Sequence, residues 1–182
     1  MRSSQEYVEK LRGMRKNVYM NGGLVGRDDS ELLPSVRILS KTFDLAESPE
    51  FKDLITTPSH LTGETINRFT NVNRSADDLL KKQRMIRKAC HLTGGCIQRC
   101  MGCDAINALH FVTFEVDKAY GTEYHKRFVR YLGYFQKNDL TAAAAQTDVK
   151  GDRSLRPHEQ KDPDLYARVV EKREDGIVAV SY

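Results

Sequence analysis

Apolar and polar positions along the chain follow a helical rhythm for most of its length. Ser3 followed by Glu6 has the form of a capping box, in which a hydroxyl and a carboxylate reciprocally satisfy free N–H groups at a helix start. Tyr7, Leu11, Met14 and Val18 then recur at helical spacing, predicting a first amphipathic helix that runs until Gly22-Gly23. Pro34 suits a first helical turn, and Val36, Leu39 and Phe43 share a face until Pro49, predicting a second helix. From Pro49 through Phe69 the pattern is interrupted by Pro58 and Gly63, which reads as a short helix followed by loop. Ser75 three residues before Asp78 marks a third start, with Leu79, Ile86 and Cys90 facing inward and Gln83 between them, until Gly94-Gly95.

A fourth helix is expected from Cys96 to about Lys118. Cys96, Cys100, Cys103, Asn107, Phe111 and Phe114 step by four, three, four, four and three, as one helical stripe does. After Gly121-Thr122 a fifth helix places Tyr124, Phe128, Tyr131, Leu132 and Phe135 inward. The pattern changes after the alanine run at 142–145. QTDVKGDRSLRPHEQKDPD has no period and reads as loop, and β-branched residues then alternate with charges on either side of Asp175-Gly176, a hairpin signal. The expected organisation is a helical unit over 1–145 and a loop with a hairpin over 146–182. An isolated hairpin is marginal in water, so Ile177, Val178 and Val180 call for further strands and predict a truncated β-domain.

Composition narrows the function classes. A chain of 182 residues can bury one sizeable core, and 40% hydrophobic with 30% charged residues is a soluble composition without a membrane-spanning run. The N-terminal segment MRSSQEYVEKLRG lacks the apolar stretch of a signal peptide, which points to the cytoplasm. The net charge of +4 is spread over interspersed signs. The basic block KKQRMIRK at 81–88 has no aromatic stacking partners nearby, so it reads as a solvated helix face rather than a nucleic-acid surface.

All four cysteines fall between residues 90 and 103. On a helix, residues four apart bring side chains within about 5–6 Å, so Cys96 and Cys100 can hold one metal ion or iron-sulfur cluster. The alternative is a set of reduced core thiols, since free cysteine is among the most buried residue types. Disulfides suit neither the compartment nor the spacing. A zinc site is poorly matched because only Cys100-Met101-Gly102-Cys103 has CxxC spacing. Cys96-x3-Cys100-x2-Cys103 also has the spacing of radical SAM enzymes, but that family resembles a barrel with the motif in a loop, usually with an aromatic residue where this chain has Gly102.

Five segments in order resemble one family. They are TINRFTNVNRSADDLLKK at 65–82, CIQRCMGCDAINA at 96–108, KAYGTEYHKRF at 118–128, TDVKGDR at 147–153 and DPDLYARVVEKREDGIV at 162–178. Together they are similar to the dehydratase branch of the 4-hydroxyphenylacetate 3-hydroxylase family. That resemblance implies a mainly α chain, the N-terminal helical bundle domain of an acyl-CoA dehydrogenase-like fold ending in the first hairpin of a β-domain. It implies removal of water from 4-hydroxybutyryl-CoA to give crotonyl-CoA by a radical mechanism, and isomerisation of vinylacetyl-CoA. It also implies FAD and a [4Fe-4S] cluster, with Cys96 and Cys100 as two ligands and one histidine and one cysteine supplied by a later domain. Cys103 is not a ligand position in the family and is either a core thiol or a third ligand. Thr147, Asp148, Lys150, Gly151, Asp152 and Arg153 are implied at the flavin, with Val149 where the family has proline. The implied partners are an acyl-CoA substrate and either identical copies, as a homotetramer, or a chain carrying the missing C-terminal domain. An aromatic monooxygenase oxygenase component shares the fold family without needing the cysteine pair, and an inactive truncated product is the third reading. No catalytic acid or base is assigned among His60, His91, His110, His125 and His158.

Overall fold

The computed structural model describes residues 1–144 and 151–180. Its Cα packing forms two units, Met1–Ala144 and Ala145–Tyr182. The architecture is mainly α, as expected, but it contains short hairpins that the helical rhythm concealed.

In the first unit, helix α1 spans Ser4–Arg12, and the expected capping box is present between Ser3 and Glu6. It ends at Gly13 rather than continuing to Gly22. Val18–Met20 (β1) instead pairs antiparallel with Gly23–Val25 (β2). The cause is Asn21-Gly22, whose φ values of 49° and 79° are the left-handed pair required by a tight two-residue hairpin turn. Met14 and Val18 therefore leave the helix face assigned to them.

Helix α2 covers Leu33–Glu47 with Pro34 in its first turn. The segment after Pro49 forms the short helix α3, Lys52–Ile55, then a hairpin of β3, Thr56–Pro58, and β4, Thr65–Asn67. The expected loop is thus a second hairpin. Arg68 secures it, donating from Nε to the Leu54 carbonyl at 2.8 Å and from Nη2 to that of Thr56 at 2.7 Å.

Helix α4 runs Ala76–Thr93 from the Ser75 cap to Gly94, which adopts φ 72°. Its buried face is Lys82, Met85 and Ala89, with Ile86 and Cys90 beside it. Leu79 and Gln83 are exposed, so the true face is rotated from the predicted one. Lys82 satisfies its buried ammonium with Asp104, which is why a lysine sits on that face. The basic block 81–88 is consequently not a single solvated surface.

Helix α5 spans Cys100–Tyr120 and α6 spans Tyr124–Lys137. Gly121 closes α5 in the left-handed conformation rather than opening α6. Asp117 joins the two helices, accepting from the backbone N–H groups of Tyr124 at 2.8 Å and His125 at 2.9 Å. Two cores result. One gathers Leu45, Ala46, Ile55, Phe69, Met85, Ala89, Ile97 and Cys103, and the other gathers Val72, Ile106, Phe128, Leu132 and Phe135. Phe111 and Phe114, predicted inward, are 66% and 52% exposed, and Tyr124 and Tyr131 also face out. Beyond Ile106 the predicted stripe is on the wrong face, because α6 packs against the side of α5 that carries His110 and Thr113 and leaves Phe111 and Phe114 mostly exposed.

The second unit contains the expected hairpin, with Arg168–Arg173 (β5) paired to Gly176–Val180 (β6). Arg173 pairs with Gly176, so the two turn residues are Glu174 and Asp175.

Candidate functional site

The cysteine segment is a turn followed by a helix start. Gly94 reverses the chain out of α4, and α5 begins only at Cys100, so Cys96 and Cys100 do not share one helix. Between them Gln98 takes φ 56°, a left-handed conformation that costs an ordinary residue on the order of 1 kcal/mol. Burial alternates through the turn. Ile97 and Arg99 are buried, Cys96 and Gln98 are exposed, and Cys100 is half-buried. The result still brings the two thiols together. Burial pushes the Cys100 thiol up, and the nearby Cys96 thiol acts in the same sense. The N–H groups of Cys100 and Met101 act in the opposite sense, as the free amides of a helix start do toward a thiolate. The Gln98 N–H also donates to the Cys96 sulfur at 3.4 Å.

Cys103 does not join this pair. It is 2% exposed within the first core, and burial pushes its thiol up to about 11, so it is a neutral core thiol near neutral pH. Cys90 packs half-buried against the same core. Among the described residues no group of three or more histidine, cysteine, aspartate or glutamate side chains is arranged to hold a metal ion. The turn therefore offers two soft ligands, and a four-ligand cluster bound there would need the other two from elsewhere.

Of the expected flavin residues, Thr147, Asp148 and Lys150 lie outside the described residues. Gly151 and Asp152 line a cleft of about 670 Å³ in the second unit, together with Leu155, Gln160, Lys161, Asp162 and Tyr166. Gln160 folds back across the loop, accepting from the Asp152 N–H at 2.9 Å and donating to the Leu155 carbonyl at 3.1 Å. A Cβ at position 151 would meet the Gln160 amide, its Cδ lying 2.8 Å away, so a larger residue there would have to displace the Gln160 side chain from its bonds across the loop. The Ser154 hydroxyl and N–H hold the Asp152 carboxyl below the usual range. Asp152 thus shapes the turn, and Arg153 beside it is exposed.

One constellation has no counterpart in the sequence pattern. His60 after β3, His110 on α5 and His125 on α6 form a chain of rings, with centroids 6.1 Å and 4.9 Å apart. His125 Nδ1 lies 3.0 Å from the Thr113 hydroxyl. Burial lowers the pKa of His60 and of His110, and the other cations nearby reinforce it: Arg74 for both, His125 and His60 for His110. The three come from separate elements, so no spacing in the chain announces them.

The helical unit followed by a loop and a hairpin has the fold of the N-terminal region of acyl-CoA dehydrogenase-like enzymes. Residues 3–180 match the family profile described as 4-hydroxyphenylacetate 3-hydroxylase N terminal, and the chain belongs to that family. Over 97% of its length it is 49% identical to the 4-hydroxybutyryl-CoA dehydratase/vinylacetyl-CoA-Δ-isomerase of Clostridium aminobutyricum. It is 23% identical to the 4-hydroxyphenylacetate 3-monooxygenase oxygenase component of Geobacillus sp. (strain PA-9). The chain spans 36% of the length of each of these curated relatives. Among solved structures, an oxygen-tolerant archaeal 4-hydroxybutyryl-CoA dehydratase from N. maritimus superposes with a TM-score of 0.91 at 42% identity, covering 99% of this chain and 36% of that one. The oxygenase component of 4-hydroxyphenylacetate 3-monooxygenase, complexed with FAD and 4-hydroxyphenylacetate, has a TM-score of 0.77 at 22% identity, covering 100% and 37%, a likeness of fold.

Proposed function

We propose that this chain is the N-terminal part of a 4-hydroxybutyryl-CoA dehydratase/vinylacetyl-CoA Δ-isomerase that works with FAD and a [4Fe-4S] cluster in the cytoplasm. The observation that carries the reading is the pairing of the exposed Cys96 with the half-buried Cys100 at the start of α5, in a chain 49% identical to such an enzyme over nearly its whole length. In the overall reaction one hydrogen leaves C2 and one leaves C3, the hydroxyl leaves C4 as water, and one hydrogen returns to C4.

Cys96 and Cys100 supply two cluster ligands in this reading, and the remaining two come from outside the described residues. The segment 147–153 meets the flavin, with Gly151 giving close backbone approach and Arg153 and Lys150 meeting phosphate oxygens. When bound, the cluster supplies a Lewis acid for the leaving hydroxyl and the flavin a one-electron acceptor. What this chain does is hold them: a half-buried thiol beside an exposed one, and a loop pinched by Gln160. An acyl-CoA is the substrate. The remaining family domain, on this polypeptide or another, and identical copies in a homo-oligomer complete the site.

The aromatic monooxygenase reading is disfavoured by the lower identity of 23% and by having no use for the dithiol. The test is iron, sulfide and flavin content with a visible spectrum, on the chain co-expressed with the C-terminal part of the family fold and purified without oxygen, beside a Cys96→Ser/Cys100→Ser variant. Cluster absorption should be present and be lost in the variant. Protein that is equally folded and equally free of iron with and without the two cysteines would overturn the assignment.

A further inference from the structure

Arg99 lies inside the cysteine turn and is buried, whereas Cys96 is exposed and Cys100 half-buried. The arginine is 2% exposed, the largest of the fully buried side chains. Its Nη2 donates to Asp139 Oδ1 at 2.5 Å and to the Leu140 carbonyl at 3.2 Å, and its Nη1 donates to the Thr42 hydroxyl at 3.1 Å. The guanidinium plane lies over the rings of Phe43, 4.4 Å from the centroid, and Phe69, 5.2 Å away. Asp139 is 1% exposed and is itself held, accepting from the Arg2 N–H at 3.3 Å. One side chain thus fastens the residue between the thiols to α2 and to the chain just after α6.

Such a charge is costly to bury, and it stays buried only while every partner is in place. The backbone on either side is the part that needs fixing. Gln98 is held at positive φ, and Cys100 follows Arg99 as the first residue of α5, whose start has no side-chain cap. With Ile97 and Arg99 both anchored inward, Cys96 is left exposed and Cys100 lies half-buried against the edge of the first core.

We infer that Arg99 is a positioning residue, with Asp139 and Thr42 as its anchors, that sets the spacing of the Cys96–Cys100 dithiol. The inference rests on the reading that this pair holds the cluster, yet it concerns the geometry of the thiols themselves. A lysine cannot replace Arg99, because the flat fork that reaches Thr42, Asp139 and Leu140 together is lost.

The probe is phenylarsine oxide, which closes a ring over two correctly spaced thiols. Two As–S bonds form, the arsenic oxygen leaves as water with the two thiol protons, and no oxidation state changes. Titration of the cofactor-free chain should give one tight site, lost in Cys96→Ser. Arg99→Lys and Asp139→Asn should bind about tenfold more weakly, as expected for the loss of a charge-assisted hydrogen bond that orders the turn. Leu132→Ala, in the second core, provides a variant destabilised without touching the turn and should retain the affinity of the parent chain. Thr42→Val removes a single anchor and decides the matter if the charge variants do not fold; it should weaken binding several-fold.

A folded Arg99→Lys or Asp139→Asn chain with undiminished affinity would overturn the inference, as would equal weakening by Leu132→Ala or, where the charge variants do not fold, no effect of Thr42→Val. Iron analysis of the same variants, co-expressed with the C-terminal part of the family fold and purified without oxygen, separates this from the functional reading. Arsenical affinity that depends on Arg99 in protein that never holds iron refutes the cluster and leaves the positioning role standing. Iron held alike by the parent and Arg99→Lys, with unchanged arsenical affinity, refutes the positioning role alone.

Discussion

Two helical glycines should respond to alanine with opposite signs. In a helix interior alanine is favoured over glycine by about 0.8–1 kcal/mol, because glycine loses more backbone entropy on folding. At Gly133 on α6 an added Cβ meets nothing within 4 Å, so most of that preference should appear as stability. Gly133→Ala should raise the midpoint of thermal unfolding by about 2–4 °C, the shift expected per kcal/mol for a domain of this size. At Gly102 in the first turn of α5 the same Cβ would fall on the Ala142 carbonyl oxygen, with the Ala142 Cβ at 2.9 Å and its carbonyl carbon at 3.0 Å. Two of these obstacles are backbone atoms, which cannot rotate aside as a side-chain tip can. The start of α5 must shift, and overpacking of this kind costs about 1–3 kcal/mol. Subtracting the propensity gain leaves Gly102→Ala less stable by up to about 2 kcal/mol. Urea unfolding followed by far-ultraviolet circular dichroism, with unchanged m-values, measures both variants on one scale. A Gly102→Ala protein as stable as Gly133→Ala would refute the close packing of α5 against Ala142.

The histidine chain predicts an acid limb to stability. His60 and His110 have folded pKa values below 6.5, chiefly through burial, with Arg74 pressing the same way on both and Asp78 opposing it at His60. The unfolded chain therefore binds these protons first, so their contribution is fully present above pH 6.5 and is lost as pH falls through the depressed folded values. The urea midpoint should fall on going from about pH 7 to about pH 5, and His110→Gln should lessen the slope; identical slopes would refute the coupling. Cys103, with its thiol near 11, should resist iodoacetamide under native conditions at about pH 8 while Cys96 reacts first and Cys100 more slowly. Mass mapping of the alkylated chain checks the order, and Cys103 reacting as fast as Cys96 would contradict its burial.

The existence and order of the six helices and the last hairpin were decided largely by local chemistry. Ser3 with Glu6, Ser75 with Asp78, Pro34 and Gly94 mark ends through interactions a few residues long, which any reading of the chain can see. The family likewise followed from the order of segments, since the motif around Cys96 and Cys100 survives whatever its backbone does. Asn21-Gly22 was legible in principle, as a turn that demands left-handed φ twice in succession.

The tertiary structure alone decided which faces are inside and what the cysteine turn looks like. Lys82 is buried because Asp104 on another helix meets it, and Arg99 because Asp139, forty residues on, neutralises it; neither partner is implied by spacing. The even stripe through Cys96, Cys100 and Cys103 predicted one helix. The chain instead spends the left-handed Gln98 and the burial of Ile97 and Arg99 on a turn that presents two thiols and hides the third. Periodicity records where a side chain could point, whereas burial depends on what the rest of the chain brings against it. That is why spacing alone put three cysteines on one stripe, and only the folded chain showed Cys96 exposed, Cys100 half-buried and Cys103 buried.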